Sequence, residues 1–163
     1  MKTLVLGLGN ELLADDAVGI HAARELERRV ADRAEVVTTA LHGLALLDVL
    51  AGYDAAVIVD AVLTGRHPVG EVFEIDPTAL RPIAGASPHF AGLPELLALA
   101  DRLGLQFPTR LRVVAVEVRD LHTVGGAMTP EVSGALPRLC DAVVRALDDL
   151  HASAGSPGGP TPA

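Results

Sequence analysis

Ala55-Ala56-Val57-Ile58-Val59-Asp60-Ala61 decides the fold: five aliphatic residues in a row, closed by a carboxylate. A strand wet on one face alternates apolar and polar side chains, and this one does not. An unbroken aliphatic run of that length suits a strand covered on both faces, as in a parallel sheet between helices. Its carboxylate then lies at the strand's carboxyl end, the edge at which open α/β sheets bind ligands. Thr3-Leu4-Val5-Leu6 repeats the pattern and stops at the turn Gly7-Leu8-Gly9-Asn10. Further strands are expected over 35–39, 70–75 and 111–118. The stretch over 70–75 alternates poorly and suits a sheet edge.

Helical spacing fills the gaps. Val18, Ala22, Leu26 and Val30 recur every four residues, with Arg24, Glu25, Glu27 and Arg28 on the other faces. A short helix is expected over 44–50, and Phe90, Leu93, Leu97 and Ala100 share one face of another. Residues 83–89, with Gly85, Ser87 and Pro88, read as a loop. Thr129-Pro130 is a helix cap followed by proline at the first helical position. The helix it opens puts Val132, Leu136, Leu139, Val143, Leu147 and Leu150 on one stripe, with Pro137 expected to kink it. The expected fold is therefore α/β: three αβα layers around a twisted, mostly parallel five-stranded sheet. It occupies one domain over 1–152, followed by a disordered tail over 153–163 rich in Gly, Pro, Ser and Ala.

Composition narrows the function. A chain of 163 residues, half of them apolar and only 2% aromatic, builds its core from aliphatic side chains. No apolar run approaches the roughly 18 residues that cross a bilayer. The run over 3–6 is too short for a signal peptide, so a cytoplasmic protein without a membrane partner is expected. Cys140, the single cysteine, excludes an internal disulfide and a multi-thiolate metal site, and reads as a small packed hydrophobe. A net charge of −8 counts against nucleic-acid binding.

Three acidic residues and one histidine stand out. Asp15 and Asp16 follow the Gly7–Gly9 turn at the mouth of the sheet. Leu12 stands where a dinucleotide fingerprint needs its third glycine, which sets a Rossmann site aside. Either aspartate could cap the helix beginning near Ala17, and that plain role suits Asp15 better than Asp16. Asp60 ends the third strand. His89, in Ser87-Pro88-His89, opens the Phe90 helix. Asp16, Asp60 and His89 together would make a divalent-metal site with open positions, of a donor type that suits zinc, nickel or iron. His42 is the reserve ligand, whereas His21, His67, His122 and His151 read as ordinary surface or packing residues. No His-Glu-x-x-His helix or Gly-x-Ser-x-Gly elbow is present.

Taken as a whole, the chain resembles the hydrogenase maturation proteases. The motifs that carry the resemblance are Leu4-Val5-Leu6-Gly7-Leu8-Gly9-Asn10, Leu12-Leu13, Asp15-Asp16, Val18-Gly19, Val59-Asp60-Ala61, Gly70, Ser87-Pro88-His89 and Met128-Thr129-Pro130-Glu131-Val132. They occur in the family's order over about 150 residues. The resemblance implies an endopeptidase that trims the C-terminal extension of a nickel-loaded nickel–iron (NiFe) hydrogenase large-subunit precursor, with the substrate's nickel as recognition signal. It implies Asp16, Asp60 and His89 as metal ligands and Asp16 and Asp60 as the catalytic carboxylates, whether of aspartic or metal-dependent type. Many members carry glutamate at the position of Asp16. Many also carry an Asp-Gly-Gly-Thr-like turn where this chain reads Thr38-Thr39-Ala40-Leu41-His42-Gly43, which makes His42 and Gly43 the candidate substrate-recognition residues. Two other readings share features of this chain. One is a non-catalytic nickel-binding docking factor on the same fold. The other is a peptidyl-tRNA hydrolase, which shares Gly-Leu-Gly-Asn but needs a basic surface.

Overall fold

A computed structural model describes residues 1–77, 87–90 and 93–154. The expected loop residues 83–86 and the tail residues 155–163 lie outside this set. Five strands form one sheet: β1 (Thr3–Leu8), β2 (Glu35–Thr39), β3 (Ala55–Val62), β4 (Val72–Ile75) and β5 (Arg110–Glu117). Their order is β2-β1-β3-β5-β4. All neighbours are parallel except β4, which runs antiparallel to β5 at the edge. The central strands are the two that read as unbroken aliphatic runs, and every residue of β1 and β3 is buried.

Among the described residues, four helices cover the sheet: α1 (Val18–Leu26), α2 (Leu46–Leu50), α3 (Leu93–Leu103) and α4 (Pro130–Ala154). Alternation along each strand divides the core into two layers. Val5, Val57, Val59, Val114 and Val116 meet α1 and α4 on one face. Leu4, Leu6, Leu8, Ile58 and Val113 meet α2 and α3 on the other. Each fully buried aliphatic side chain of this kind contributes about 1.5–3 kcal/mol. Asp60 shares the row of Ile58 and Val62, so its side chain projects to the α2/α3 face.

Helix α1 lies unusually close to the sheet. A Cβ on Gly19 would stand 2.2 Å from the Leu8 carbonyl oxygen and 2.6 Å from that of Val59. One on Gly7 would stand 2.4 Å from the Gly19 carbonyl oxygen. The two glycines let helix and strand backbones touch, which brings the loop before α1 over the end of β3.

Several boundaries differ from the sequence reading for local reasons. α1 stops at Leu26, and Val30 reaches the core from a following turn, its N–H bonded to the Leu26 carbonyl. Phe90 is buried in a 3-10 turn, Pro88–Phe90, and α3, Leu93–Leu103, buries Leu93, Leu96 and Ala100, with Leu97 partly buried against the same core. The region over 44–50 divides into a 3-10 turn, Gly43–Ala45, and α2. α4 continues on both sides of Pro137, which stands on its exposed face. Ser153 belongs to the last turn of α4, its hydroxyl donating to the Asp149 carbonyl at 2.7 Å.

Candidate metal and peptidase site

The four loops that leave the carboxyl ends of the parallel strands gather at one edge, and there the chemistry collects. Asp16 rides on a 3-10 turn, Ala14–Ala17, between β1 and α1. Asp60 sits near the end of β3, and His89 in the turn before α3. These three side chains are 2%, 0% and 3% exposed, and one ligand atom from each lies within 4.8 Å of the others. Among the described residues they form the one such group of metal-ligating side chains.

Every atom around the group that can be tied down is tied, except two. Asp16 Oδ2 accepts the Asn10 N–H at 2.8 Å, while Oδ1 faces His89 Nε2 at 3.6 Å. Asp60 Oδ1 accepts the Ala61 N–H at 2.8 Å, and Oδ2 accepts the Ser87 hydroxyl at 2.5 Å. His89 Nδ1 meets the Leu41 carbonyl oxygen at 3.4 Å. A carbonyl only accepts, so this contact puts the proton on Nδ1 and turns the Nε2 lone pair inward. Asp16 Oδ1 and His89 Nε2 are buried without a hydrogen-bond partner. Leaving such groups unsatisfied costs about 1–3 kcal/mol each, more for a charge. Metal–ligand bonds of about 2.1 Å place ligand pairs roughly 3–4 Å apart, so the separation between these two atoms fits a shared cation.

Electrostatics agree with that fit. Burial pushes the Asp60 pKa up to about 7, against the opposing pull of His89 and the Ser87 hydroxyl, and the neighbouring Asp16 adds to the rise. For His89, burial alone would lower the pKa, but the Asp16 and Asp60 carboxylates outweigh it and hold it above the ordinary value. Without a cation Asp60 and His89 both favour their protonated forms more than they would in water.

Asp15, although adjacent to Asp16, does something else. It is fully buried and points away, accepting the N–H groups of Arg119, Asp120 and Thr129 at 3.1, 3.1 and 2.6 Å and the Thr129 hydroxyl at 3.2 Å. It fastens the loop after β5 and the start of α4 to the β1 loop, rather than capping its own helix. Asp15→Ala should therefore lower stability by about 3 kcal/mol, since it removes a buried carboxylate that pairs three part-buried N–H groups. In a chain of this size that is a fall in Tm of roughly 6–12 °C. Circular-dichroism melts against wild type check it; an unchanged Tm would remove Asp15 from the framework.

The remaining candidates separate cleanly. His42 is exposed and lies outside the cluster, and Gly43 turns the chain with φ 58°. In their turn it is the Leu41 carbonyl, a group with no sequence signature, that reaches the site. His151 meets Thr3 Oγ1 at 3.2 Å, and His67 stacks on Phe73 beside Glu71. Burial pushes the Cys140 thiol up to about 11, which leaves no thiolate nucleophile. Glu117, unremarked in the sequence, is buried at the end of β5 and accepts the N–H groups of Thr64 and Gly65 and the Thr64 hydroxyl, closing the loop after β3.

Comparison with known proteins places this constellation. The hydrogenase maturation protease family model (HycI) matches residues 20–146. A hydrogenase 2 maturation protease of Escherichia coli is 31% identical over 151 residues, covering 90% of this chain and 91% of that protein. The hydrogenase expression/formation protein HupD of Rhizobium leguminosarum is 30% identical, over 90% of this chain and 74% of its own. The hydrogenase maturating endopeptidase HybD of Escherichia coli superposes with a TM-score of 0.76 at 31% identity, covering 91% of this chain and 93% of that one. HybD of Thermococcus kodakarensis gives 0.68 at 26% identity, over 89% and 98%. With a shared five-stranded α/β fold and a matched family model spanning β3 and the His89 turn, the chain belongs to the hydrogenase maturation protease family of peptidases.

Proposed function

We propose that the protein removes the C-terminal extension of a NiFe hydrogenase large-subunit precursor already loaded with nickel, and that the substrate's nickel is the recognition signal. The observation that carries this reading is the pair of orphaned atoms, Asp16 Oδ1 and His89 Nε2, buried beside Asp60. Two carboxylates and an imidazole suit nickel as well as zinc. A precursor without its metal leaves those atoms unsatisfied, whereas a loaded one pairs them, so docking checks the cargo. A metal held there supplies Lewis-acid polarisation of a nearby carbonyl. Asp16 is the residue on which the two peptidase chemistries converge, as ligand in a metal-dependent reaction and as general base in an aspartic one.

The surroundings suit a protein substrate. Leu12, Leu41, Leu44, Leu63 and Val124 stand exposed on the four loops at the carboxyl edge of the sheet. Leu12 and Val124 are held on a hydrogen-bonded framework, with Leu13 bridging Val124 and Gly125 N–H donating to the Leu12 carbonyl at 2.7 Å. Exposed aliphatic groups around a buried polar trio suit a macromolecular partner better than a small ion. His42 and Gly43 belong to the same rim, and we assign them to substrate recognition. No nucleic acid or membrane is part of this reading: the net charge is −8, and no helix among the described residues is long and apolar enough to cross a membrane. The apolar run Thr3–Leu8 forms β1, and we assign the reaction to the cytoplasm.

The test is intact mass spectrometry of a nickel-loaded large-subunit precursor incubated with the protein. Loss of one discrete C-terminal peptide, seen only when nickel is present, is the expected result. An unchanged mass for every large subunit of the source organism, with folded protein that still binds nickel, would replace the peptidase by a docking factor.

A further inference from the structure

We propose that Ser87 is a positioning residue that clamps Asp60 to His89, and that this single hydroxyl sets how tightly the trio holds a divalent cation. The inference rests on the metal reading of the trio given above.

Ser87 is fully buried. Its hydroxyl donates to Asp60 Oδ2 at 2.5 Å and accepts the His89 backbone N–H at 3.2 Å. A serine hydroxyl has one proton to give, and here Asp60 receives it. Accepting the N–H two residues on is the usual local bond of a turn-forming serine, which curls the chain through Pro88 and brings His89 round. One side chain thus joins two ligands that belong to different elements, Asp60 on β3 and His89 on the turn before α3, 29 residues apart.

Among the described residues neither ligand has an equivalent substitute for this bond. There the other Asp60 oxygen is bonded to its own neighbour, Ala61, which fixes nothing outside β3. The His89 ring is steered by Leu41, but through Nδ1 and at 3.4 Å, which sets ring rotation and leaves the backbone position to Ser87. Without the hydroxyl, the Asp60 carboxylate gains freedom about its side-chain torsions and the His89 backbone N–H is buried unpaired. Groups that orient metal ligands in this indirect way are typically worth 10–100-fold in metal affinity.

The experiment is calorimetric titration of the metal-free full chain with Ni²⁺ alone, comparing wild type, Ser87→Ala, Ser87→Thr and Ser87→Cys, with Asp16→Asn as the non-binding control. Ser87→Ala is expected to weaken Ni²⁺ binding about 10–100-fold. Ser87→Thr, which keeps the hydroxyl, is expected to stay within about threefold of wild type by the same argument. A residue that only filled space would not show this split. Should Ser87→Ala fail to fold, the Thr and Cys variants carry the test, because cysteine matches serine in shape but donates weakly. Equal affinity in Ser87→Cys and Ser87→Thr, or in Ser87→Ala and wild type, would overturn the clamp while leaving the metal site standing. Folded wild type that binds no Ni²⁺ would overturn the metal reading, and the clamp with it.

Discussion

Asp16→Asn should reduce precursor cleavage by about 10²–10⁴-fold while leaving the fold intact, the scale expected when a positioned acid or base is lost. The change is nearly isosteric. The amide oxygen still accepts the Asn10 N–H that now bonds Oδ2 at 2.8 Å. The amide nitrogen then takes the place of Oδ1, facing the Nε2 lone pair of His89 across 3.6 Å. There it can donate to the imidazole and close the site on itself, removing both the negative charge and the open ligand position. Activity should fall whether Asp16 acts as ligand or as base, and Tm should hold or rise. Mass spectrometry of the precursor, beside a thermal melt of the variant, gives both readouts. Wild-type cleavage by a folded Asp16→Asn protein would take Asp16 out of the reaction.

Asp60→Asn should stop cleavage yet make the metal-free protein more stable at pH 8. Asp60 begins from a carboxylate pKa of 3.8 and is pushed up to about 7 in the folded chain. A raised folded value means that its contribution to stability is fully present below about pH 4 and is lost as the pH rises to about 7. The unfolded chain releases its proton early, whereas the folded chain must keep it or bury a charge. Across that window the metal-free protein should lose on the order of 4 kcal/mol. Asparagine has no proton to lose, and its amide can serve both Ala61 N–H and the Ser87 hydroxyl. The variant should therefore show a much flatter dependence of stability on pH, the remaining slope belonging to His89. At pH 8 it should melt roughly 10 °C above metal-free wild type. Urea denaturation from pH 4 to 8 measures the slopes directly. A variant with the wild-type slope, or one less stable than wild type at pH 8, would show that the buried carboxylate is not where the native state stores its strain. Together the two substitutions test the reading in which the site costs stability at rest and would recover it with a cation bound.

The pattern of neighbouring residues was enough to identify the framework. Two short aliphatic runs, over 3–6 and 55–59, suit strands covered on both faces, and both lie in interior strands of the sheet, fully buried. The stripe of apolar residues from Val132 to Leu150, at three- and four-residue spacing, holds as one helix, because helical periodicity is a local property that needs no partner to be seen. Placing Asp16 and Asp60 at one edge likewise followed from the direction of parallel strands, since the loops that follow such strands leave the sheet on the same side; His89 comes after the antiparallel β4, and tertiary packing brings it to that edge.

Only the tertiary structure decided what depends on residues far apart in the chain. The sequence set Asp15 apart from Asp16 only as the better helix cap; it is the packing of Arg119, Asp120 and Thr129 against the β1 loop that makes one a fastener and leaves the other with a free oxygen. The antiparallel direction of β4 arises from its pairing with β5, some 40 residues on. The Leu41 carbonyl and the Ser87 hydroxyl acquire their meaning from His89 and Asp60 across separations of 48 and 27 residues. A backbone carbonyl leaves no trace in a side-chain pattern, and a hydroxyl gains its role only from the group it finally meets.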